Sequence, residues 1–202
     1  MKISNKYKGS GPMKTMEKVD KMGIKALLPI YGERGENQTL IYTLEGETIL
    51  CLQTMRSFLQ AFFRYQGLDL YQLRKKYGQL LQRRNGIPVP LGPYIVLVPV
   101  KVRQPVGKGD GAYGYVSFDQ VEKVEEKGRQ GVFHLTGDVL ISTLWSPRIL
   151  HQQLLYARLV QQNYEEEQKR KYNLYGVSSK EAWKVQEPMI LLFPMNQQEK
   201  KR

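Results

Sequence analysis

Residues 56–98 read RSFLQAFFRYQGLDLYQLRKKYGQLLQRRNGIPVPLGPYIVLV, and they predict two helices, a proline-rich turn and a buried strand. Up to Tyr65, aromatic residues recur three and four positions apart, which is the spacing of one helix face. Asp69 follows Gly67 and can cap the second helix, because its carboxylate can accept hydrogen bonds from the first free N–H groups. Three prolines then exclude a helix. The apolar residues that follow predict a buried strand.

Positive charge is concentrated in the same region. Residues 48–109 contain ten Lys or Arg and one acid, Asp69, and so carry +9 of the chain's net charge of +12. A surface that serves only solubility distributes its charge, whereas a surface that binds a polyanion concentrates it. We therefore predict a nucleic-acid-binding surface. It is formed by the ten cations of this window: Arg56, Arg64, Arg74, Lys75, Lys76, Arg83, Arg84, Lys101, Arg103 and Lys108.

Tyrosines that could stack on nucleic-acid bases lie among these cations: Tyr65, Tyr71, Tyr77 and Tyr94. Phe58, Phe62 and Tyr77 are explained more simply as core residues, because they recur at helical spacing. The cations also have a simpler interpretation, as a solvated face whose aliphatic stems lie over the core. The near absence of acids favours the nucleic-acid interpretation.

Short apolar or alternating segments predict mainly antiparallel strands. They are residues 25–31, 39–44, 48–52, 94–98, 115–118, 132–135 and 139–143. Pro29 indicates an edge strand, and Pro99 is expected to break the strand that precedes it, because proline cannot donate to a sheet ladder. Ser146 and Pro147 begin a long helix, with Ser as the cap and Pro in the first position. We expect this helix to reach Lys171.

These elements predict an α+β fold: a single domain with mainly antiparallel strands, a central basic helical segment and a long C-terminal helix. Residues 1–22 show no sustained period and are expected to be a flexible basic leader. The α+β domain then spans residues 23–171. Residues 172–202 form a C-terminal extension with a basic tail, in which residues 189–193 are expected to add a strand.

Several function classes are disfavoured. Cys51 is the only cysteine, so an intramolecular disulfide is excluded, as suits a reducing compartment. Together with His134 and His151 it has no metal-ligand spacing, and we expect no metal and no other cofactor. No apolar run follows the basic N-terminus, and residues 94–100, the longest apolar stretch, are too short to span a bilayer. We expect a cytoplasmic, nucleoid-associated protein with no membrane partner.

Two patterns would suit other chemistry. Residues 109–114 match G-x-G-x-x-G, but the dinucleotide fingerprint opens a helix, and a strand is predicted here. Asp110, Glu125 and Lys127 have a nuclease-like spacing, in which the trio could hold Mg²⁺ and position a water. An exposed charged hairpin or turn explains residues 122–127 more simply. We therefore expect a protein that is not an enzyme.

The order of motifs resembles that of the ComK family, the competence transcription factors of Gram-positive bacteria. The resemblance covers roughly residues 24–165 and depends on the order and spacing of the motifs. The matching segments are residues 26–29 (ALLP), 56–57 (RS), 62–63 (FF) with Tyr65 and Gly67, 80–81 (LL), 87–89 (IPV), 94–99 (YIVLVP) and 149–159 (ILHQQLLYARL). The family's Phe-Pro-Thr is Val98-Pro99-Val100 here, and Gly114-Tyr115 stand where it has Cys-Trp.

The resemblance implies a transcriptional activator that binds AT-rich duplex DNA, largely through the minor groove, and that self-associates. Minor-groove readers use Arg and Lys to sense the narrow, electronegative A·T groove. The leucine face of the C-terminal helix is the candidate surface for a dimer or tetramer, and core packing explains it at least as well. Two alternatives remain open: an RNA- or ribosome-associated basic protein, and a Mg²⁺-dependent nuclease.

Overall fold

The computed structural model describes residues 12–107 and 109–174. These residues form helices α1 (Pro12–Met22), α2 (Met55–Tyr65), α3 (Leu70–Leu80) and α4 (Pro147–Leu174). The strands are β1 (Ile24–Tyr31), β2 (Asn37–Thr43), β3 (Thr48–Cys51), β4 (Val89–Pro90), β5 (Val96–Lys101), β6 (Tyr113–Ser117), β7 (Val121–Lys127), β8 (Gln130–Leu135) and β9 (Val139–Ser142). One 3₁₀ turn, Phe118–Gln120, joins β6 to β7. The predicted α+β class is confirmed.

Every strand pair is antiparallel. Six strands form one sheet in the order β3-β2-β1-β6-β5-β4, and β7-β8-β9 form a second sheet. Both sheets and α1–α3 belong to one compact unit that ends at Tyr164, within α4. A second unit begins at Glu165, and its described part is the remainder of α4, where Arg170 pairs with Glu166 at 3.8 Å. No helix in the described part of the chain is both long and apolar enough to cross a bilayer.

The six-stranded sheet has an apolar core on each face. On β5, Leu97 belongs to one core, whereas Val98 and Val100 belong to the other, because successive side chains of a strand point to opposite faces. The first core includes buried residues of α1 and α2, such as Val19 and Phe63. The second core includes residues of β8, β9 and α4. The central strands are therefore buried on both sides.

Two prolines lie inside this sheet, contrary to the prediction from the sequence. The prediction that β1 is an edge strand is wrong, and Pro99 lies within β5 instead of breaking it. Pro29 pairs with Thr39 of β2, but β6 pairs with β1 only at Ala26 and Leu27. Likewise Pro99 pairs with β6, beyond the reach of the two-residue strand β4. Each proline thus has a strand on one side only, so its missing N–H is tolerated.

The expectation of a flexible leader over residues 1–22 is wrong for its second half. Residues 12–22 form α1, whose Met16, Val19 and Met22 are buried in the first core. Lys18 also forms an ion pair with Glu47 at 2.6 Å. Residues 1–11 lie outside the described residues, as do residues 175–202 with the strand expected at 189–193.

The local signals for the central helices are confirmed. Asp69 is the N-cap of α3, and its carboxylate accepts hydrogen bonds from the N–H groups of Tyr71 at 2.8 Å and Gln72 at 3.1 Å. Thr54 caps α2 in the same way, through Ser57 N at 3.2 Å. Phe58 and Phe62 pack into the first core, and Tyr77 is buried in the second.

The apolar residues of α4 were predicted to serve either self-association or core packing, and they differ in burial. Leu150, Ala157 and Val160 are fully buried in the second core. Leu155 and Leu159, by contrast, are 64% and 50% exposed. Core packing therefore accounts for one side of α4 and leaves two leucines, four residues apart, facing solvent.

We expect Phe63→Ala to lower the free energy of unfolding by about 3–5 kcal/mol, because it removes a fully buried aromatic ring from the first core. Gln60→Ala is the matched control, since Gln60 is an exposed residue of the same helix. It should change stability by less than about 0.5 kcal/mol. Denaturant unfolding measures both, and equal effects would contradict the assigned helix orientation.

Candidate nucleic-acid interface

Two open cavities adjoin each other beside α2 and α3. The first, of about 950 Å³, lies between α3, the turn at residues 82–87 and the strands β5 and β6. The second, of about 960 Å³, lies between α2, the start of α3 and residues 111–115. They share four lining residues, Tyr71, Arg74, Tyr113 and Tyr115. We call the two cavities together the basic groove.

Six of the ten predicted contact residues line this groove: Arg56, Arg64, Arg74, Lys75, Arg83 and Arg84. Among the described lining residues Asp69 is the only acid, so the lining carries a net charge of +5. The Asp69 carboxylate is already hydrogen-bonded to the backbone of α3. The groove therefore presents cations almost alone, which is the electrostatic pattern of a polyanion site.

Helix α2 positions the first two cations. Arg56 lies in its first turn and Arg64 in its last, both exposed, while Phe58, Leu59 and Phe63 point into the core. The two arginines are eight positions apart, which corresponds to about 12 Å along a helix axis. The amphipathic pattern of the helix thus places its cations along one side of the groove.

Arg74 is held in place at the junction of the two cavities. Its Nη2 donates a hydrogen bond to the Tyr115 hydroxyl at 2.7 Å. The Tyr115 ring is buried on β6, and this burial raises the pKa of the phenol, against a smaller lowering by the charge of Arg74. The contact orients the guanidinium before any ligand binds, which reduces the entropy cost of binding.

Arg83 and Arg84 lie beyond α3, on a tight turn. Helix α3 ends at Leu80, and Gln82, just before the two arginines, has a positive φ of 52°. The turn is closed by a hydrogen bond from Arg83 N to Gly78 O at 2.8 Å. The structural consequence is that both arginines form the outer wall of the first cavity.

The two arginines have different local roles. The Arg83 guanidinium packs over the Tyr156 ring of α4, 4.7 Å from its centroid, and donates to the Tyr156 hydroxyl at 3.1 Å. Arg83 is thus partly structural. Arg84 is exposed, and the described part of the chain shows no side-chain partner for it. Arg84 is the more available of the two for a ligand.

Of the remaining four predicted residues, the three that the structure describes do not line the groove. Lys76 Nζ lies over the Tyr77 ring, 5.1 Å from its centroid, and Lys101 is half-buried at the end of β5. Arg103 contacts Asn37, the carbonyl of Gly111 and the Tyr31 ring. Lys108 lies outside the described residues.

Three tyrosines, Tyr71, Tyr113 and Tyr115, line both cavities of the groove. Of the four tyrosines predicted to stack on bases, only Tyr71 is among them. Tyr71 is 71% exposed there. Tyr113 is 38% exposed and makes an edge-to-face contact with Trp145, with centroids 5.7 Å apart. Tyr65 and Tyr94 are exposed away from the lining. Sequence reasoning missed Tyr113 and Tyr115 because both lie beyond residues 48–109, the stretch in which positive charge is concentrated.

The residues of the nuclease-like pattern lie on different elements with different partners. The Asp110 carboxylate accepts hydrogen bonds from Tyr31 at 2.7 Å and Asn37 at 2.8 Å, which hold its pKa far below the usual range. Glu125, on β7, pairs with His134 and lies 3.9 Å from Lys123. The described residues contain no cluster of three His, Cys, Asp or Glu suited to a metal ion. Residues 109–114 lead into strand β6 and so lack the helix of a dinucleotide site.

We expect Gly78→Ala to destabilise the protein by about 1–3 kcal/mol, because its added Cβ would lie 2.8 Å from the Arg83 carbonyl oxygen and 2.9 Å from the Ile87 side chain. Helix propensity alone would make the same change stabilising by up to about 1 kcal/mol. Gln79→Ala, at an exposed neighbouring position, is the control. Thermal unfolding distinguishes the two, and a more stable Gly78→Ala protein would contradict the packing of this turn.

Comparison with protein-family models, curated proteins and solved structures finds no match to this chain. Function is therefore inferred from the charge, shape and side chains of the basic groove.

Proposed function

We propose that this protein is a non-enzymatic, DNA-binding regulator of transcription that binds duplex DNA along the basic groove. The observation that carries the proposal is the groove itself, where six cations from α2, α3 and the following turn line two adjoining cavities. The one acid of the lining, Asp69, is hydrogen-bonded to the backbone of α3. Arg and Lys that neutralise phosphates release condensed counterions, and this release supplies much of the affinity for DNA.

The distribution of the cations favours a polymer over a small anion. They extend from the first turn of α2 to the turn after α3, across cavities of about 950 and 960 Å³. A single phosphate would be held by groups that converge on one point, as an arginine fork does. Charges spread along a groove suit a chain of phosphates.

The resemblance to the ComK family supplies the finer part of the proposal. By that resemblance the target is AT-rich DNA read through the minor groove, the regulator is an activator of the competence type, and it acts at the nucleoid in the cytoplasm. A narrow A·T minor groove has an enhanced negative potential that attracts Arg. Self-association as a dimer or tetramer would use the exposed Leu155 and Leu159 of α4.

A salt titration tests DNA binding directly. If about six cations meet phosphates, the slope of log K against log [salt] should be near −5. Affinity for an AT-rich duplex should then fall roughly a thousandfold between 50 and 200 mM salt. Fluorescence anisotropy measures this, with a GC-rich duplex as the comparison. Absence of duplex binding, or binding that salt does not affect, would reject the proposal.

Arg84→Ala tests the position of the interface. Removing one phosphate contact should weaken binding and make the salt slope shallower by about 0.9, with little loss of fold stability because Arg84 is exposed. Arg129→Ala is the matched control, since Arg129 is an exposed arginine at the β7–β8 turn of the other sheet. Equal effects of the two substitutions would show that binding is not located in the groove.

RNA association is the second candidate function. The exposed Tyr71 and Tyr113 favour it, because aromatic rings beside a basic groove suit unstacked bases. Competition between an AT-rich duplex and a single-stranded RNA of the same length decides between the candidates. If the protein prefers the RNA, RNA association replaces duplex binding as the proposed function. If it prefers the duplex, RNA association is rejected.

A further inference from the structure

The loop between β5 and β6 presents an exposed apolar tip. Val106 is 87% exposed, more than any other large hydrophobic side chain in the described residues, and the exposed Pro105 precedes it. Solvent-exposed valines on flexible loops are common and need no explanation. This one differs because its backbone is anchored.

The anchor is the carboxylate of Asp110. Besides the bonds from Tyr31 and Asn37, it accepts hydrogen bonds from the backbone N–H of Gly107 at 2.8 Å and of Val106 at 3.2 Å. The Val106 N–H also lies 3.0 Å from the Tyr31 hydroxyl, as a shared donor. The tip residue itself is therefore tied to the end of β1.

Arg103 completes a ring of contacts at the base of the loop. Its guanidinium donates to the Asn37 side-chain oxygen and to the Gly111 carbonyl at 2.7 Å, and it packs over the Tyr31 ring, 4.0 Å from the centroid. The Asn37 amide thus accepts from Arg103 and donates to Asp110. Since Tyr31 and Asn37 belong to β1 and β2, the loop is anchored to the six-stranded sheet.

The same loop forms part of the groove wall. Gly111 and Ala112, on its C-terminal arm, line the second cavity together with Arg56 and Arg64. A duplex bound to those arginines would lie against this arm. Pro105 and Val106 therefore belong to the same anchored loop as two residues that line the basic groove.

We propose that Pro105 and Val106 form a wedge that inserts between stacked base pairs of the duplex in the basic groove and partly unstacks one step. This inference rests on the proposed duplex binding. Apolar side chains, including proline, act in this way in proteins that enter the minor groove. Pyrimidine–purine steps such as TA unstack readily, so the wedge would favour AT-rich sites that contain a TA step, without any hydrogen bond to a base.

The test uses the full chain and an AT-rich duplex in which 2-aminopurine replaces one adenine at a time. Its fluorescence rises when the base unstacks. The unmodified protein should raise the signal about twofold or more at one step. Val106→Ser should abolish this rise, whereas Val106→Met, which keeps an apolar tip, should retain it. Leu140→Ser is the control, because Leu140 is an exposed apolar residue of the three-stranded sheet.

Affinity and salt slope are measured on the same samples. Val106→Ser should keep a salt slope within about one of the original, because it removes no phosphate contact. If the unmodified protein binds the duplex with the expected salt slope but gives no fluorescence rise, the wedge is overturned and duplex binding stands. An equal fluorescence rise for Val106→Ser and the unmodified protein has the same consequence. Absence of duplex binding by the unmodified protein overturns both.

Discussion

The fold depends on burying both faces of the central sheet. Leu97 of β5 packs toward α1 and α2, while Val98 and Val100 pack toward the second sheet and α4. A strand buried on both faces has to be apolar at consecutive positions, as strands covered on both sides are. The strands within the sheet are also packed closely: a Cβ on Gly114 of β6 would lie 2.7 Å from the Leu27 carbonyl oxygen of β1.

This layering also determines where the positive charge lies. The inner faces of α2 and α3 are occupied by core residues such as Phe63 and Tyr77, so their cations are left along the side that faces β5 and β6. Asp69, the one acid among them, is committed to capping α3. A concentration of charge in the sequence thus becomes a groove because two helices meet strands β5 and β6 there.

Local structure was predictable where a single element carries the signal. The Asp69 cap, the helical spacing of α2 and the strands predicted at residues 39–44 and 48–52 each depend on neighbouring residues, and each is observed. Helix α1 was missed because its three buried apolar residues lie among lysines and acids and become a core face only against the sheet. Pro99 was misread because its tolerance depends on how far the two-residue β4 extends.

The sequence by itself determined the α+β class, the concentration of charge and six of the residues that line the groove. The tertiary structure alone decided which cations meet, because that depends on contacts between residues far apart in the chain. In the folded chain Arg74 is hydrogen-bonded to Tyr115 and Arg83 to Tyr156, whereas Arg103 contacts Asn37 at the base of the β5–β6 loop. Charge can be counted along a chain, but the direction of a side chain is set by its neighbours in space.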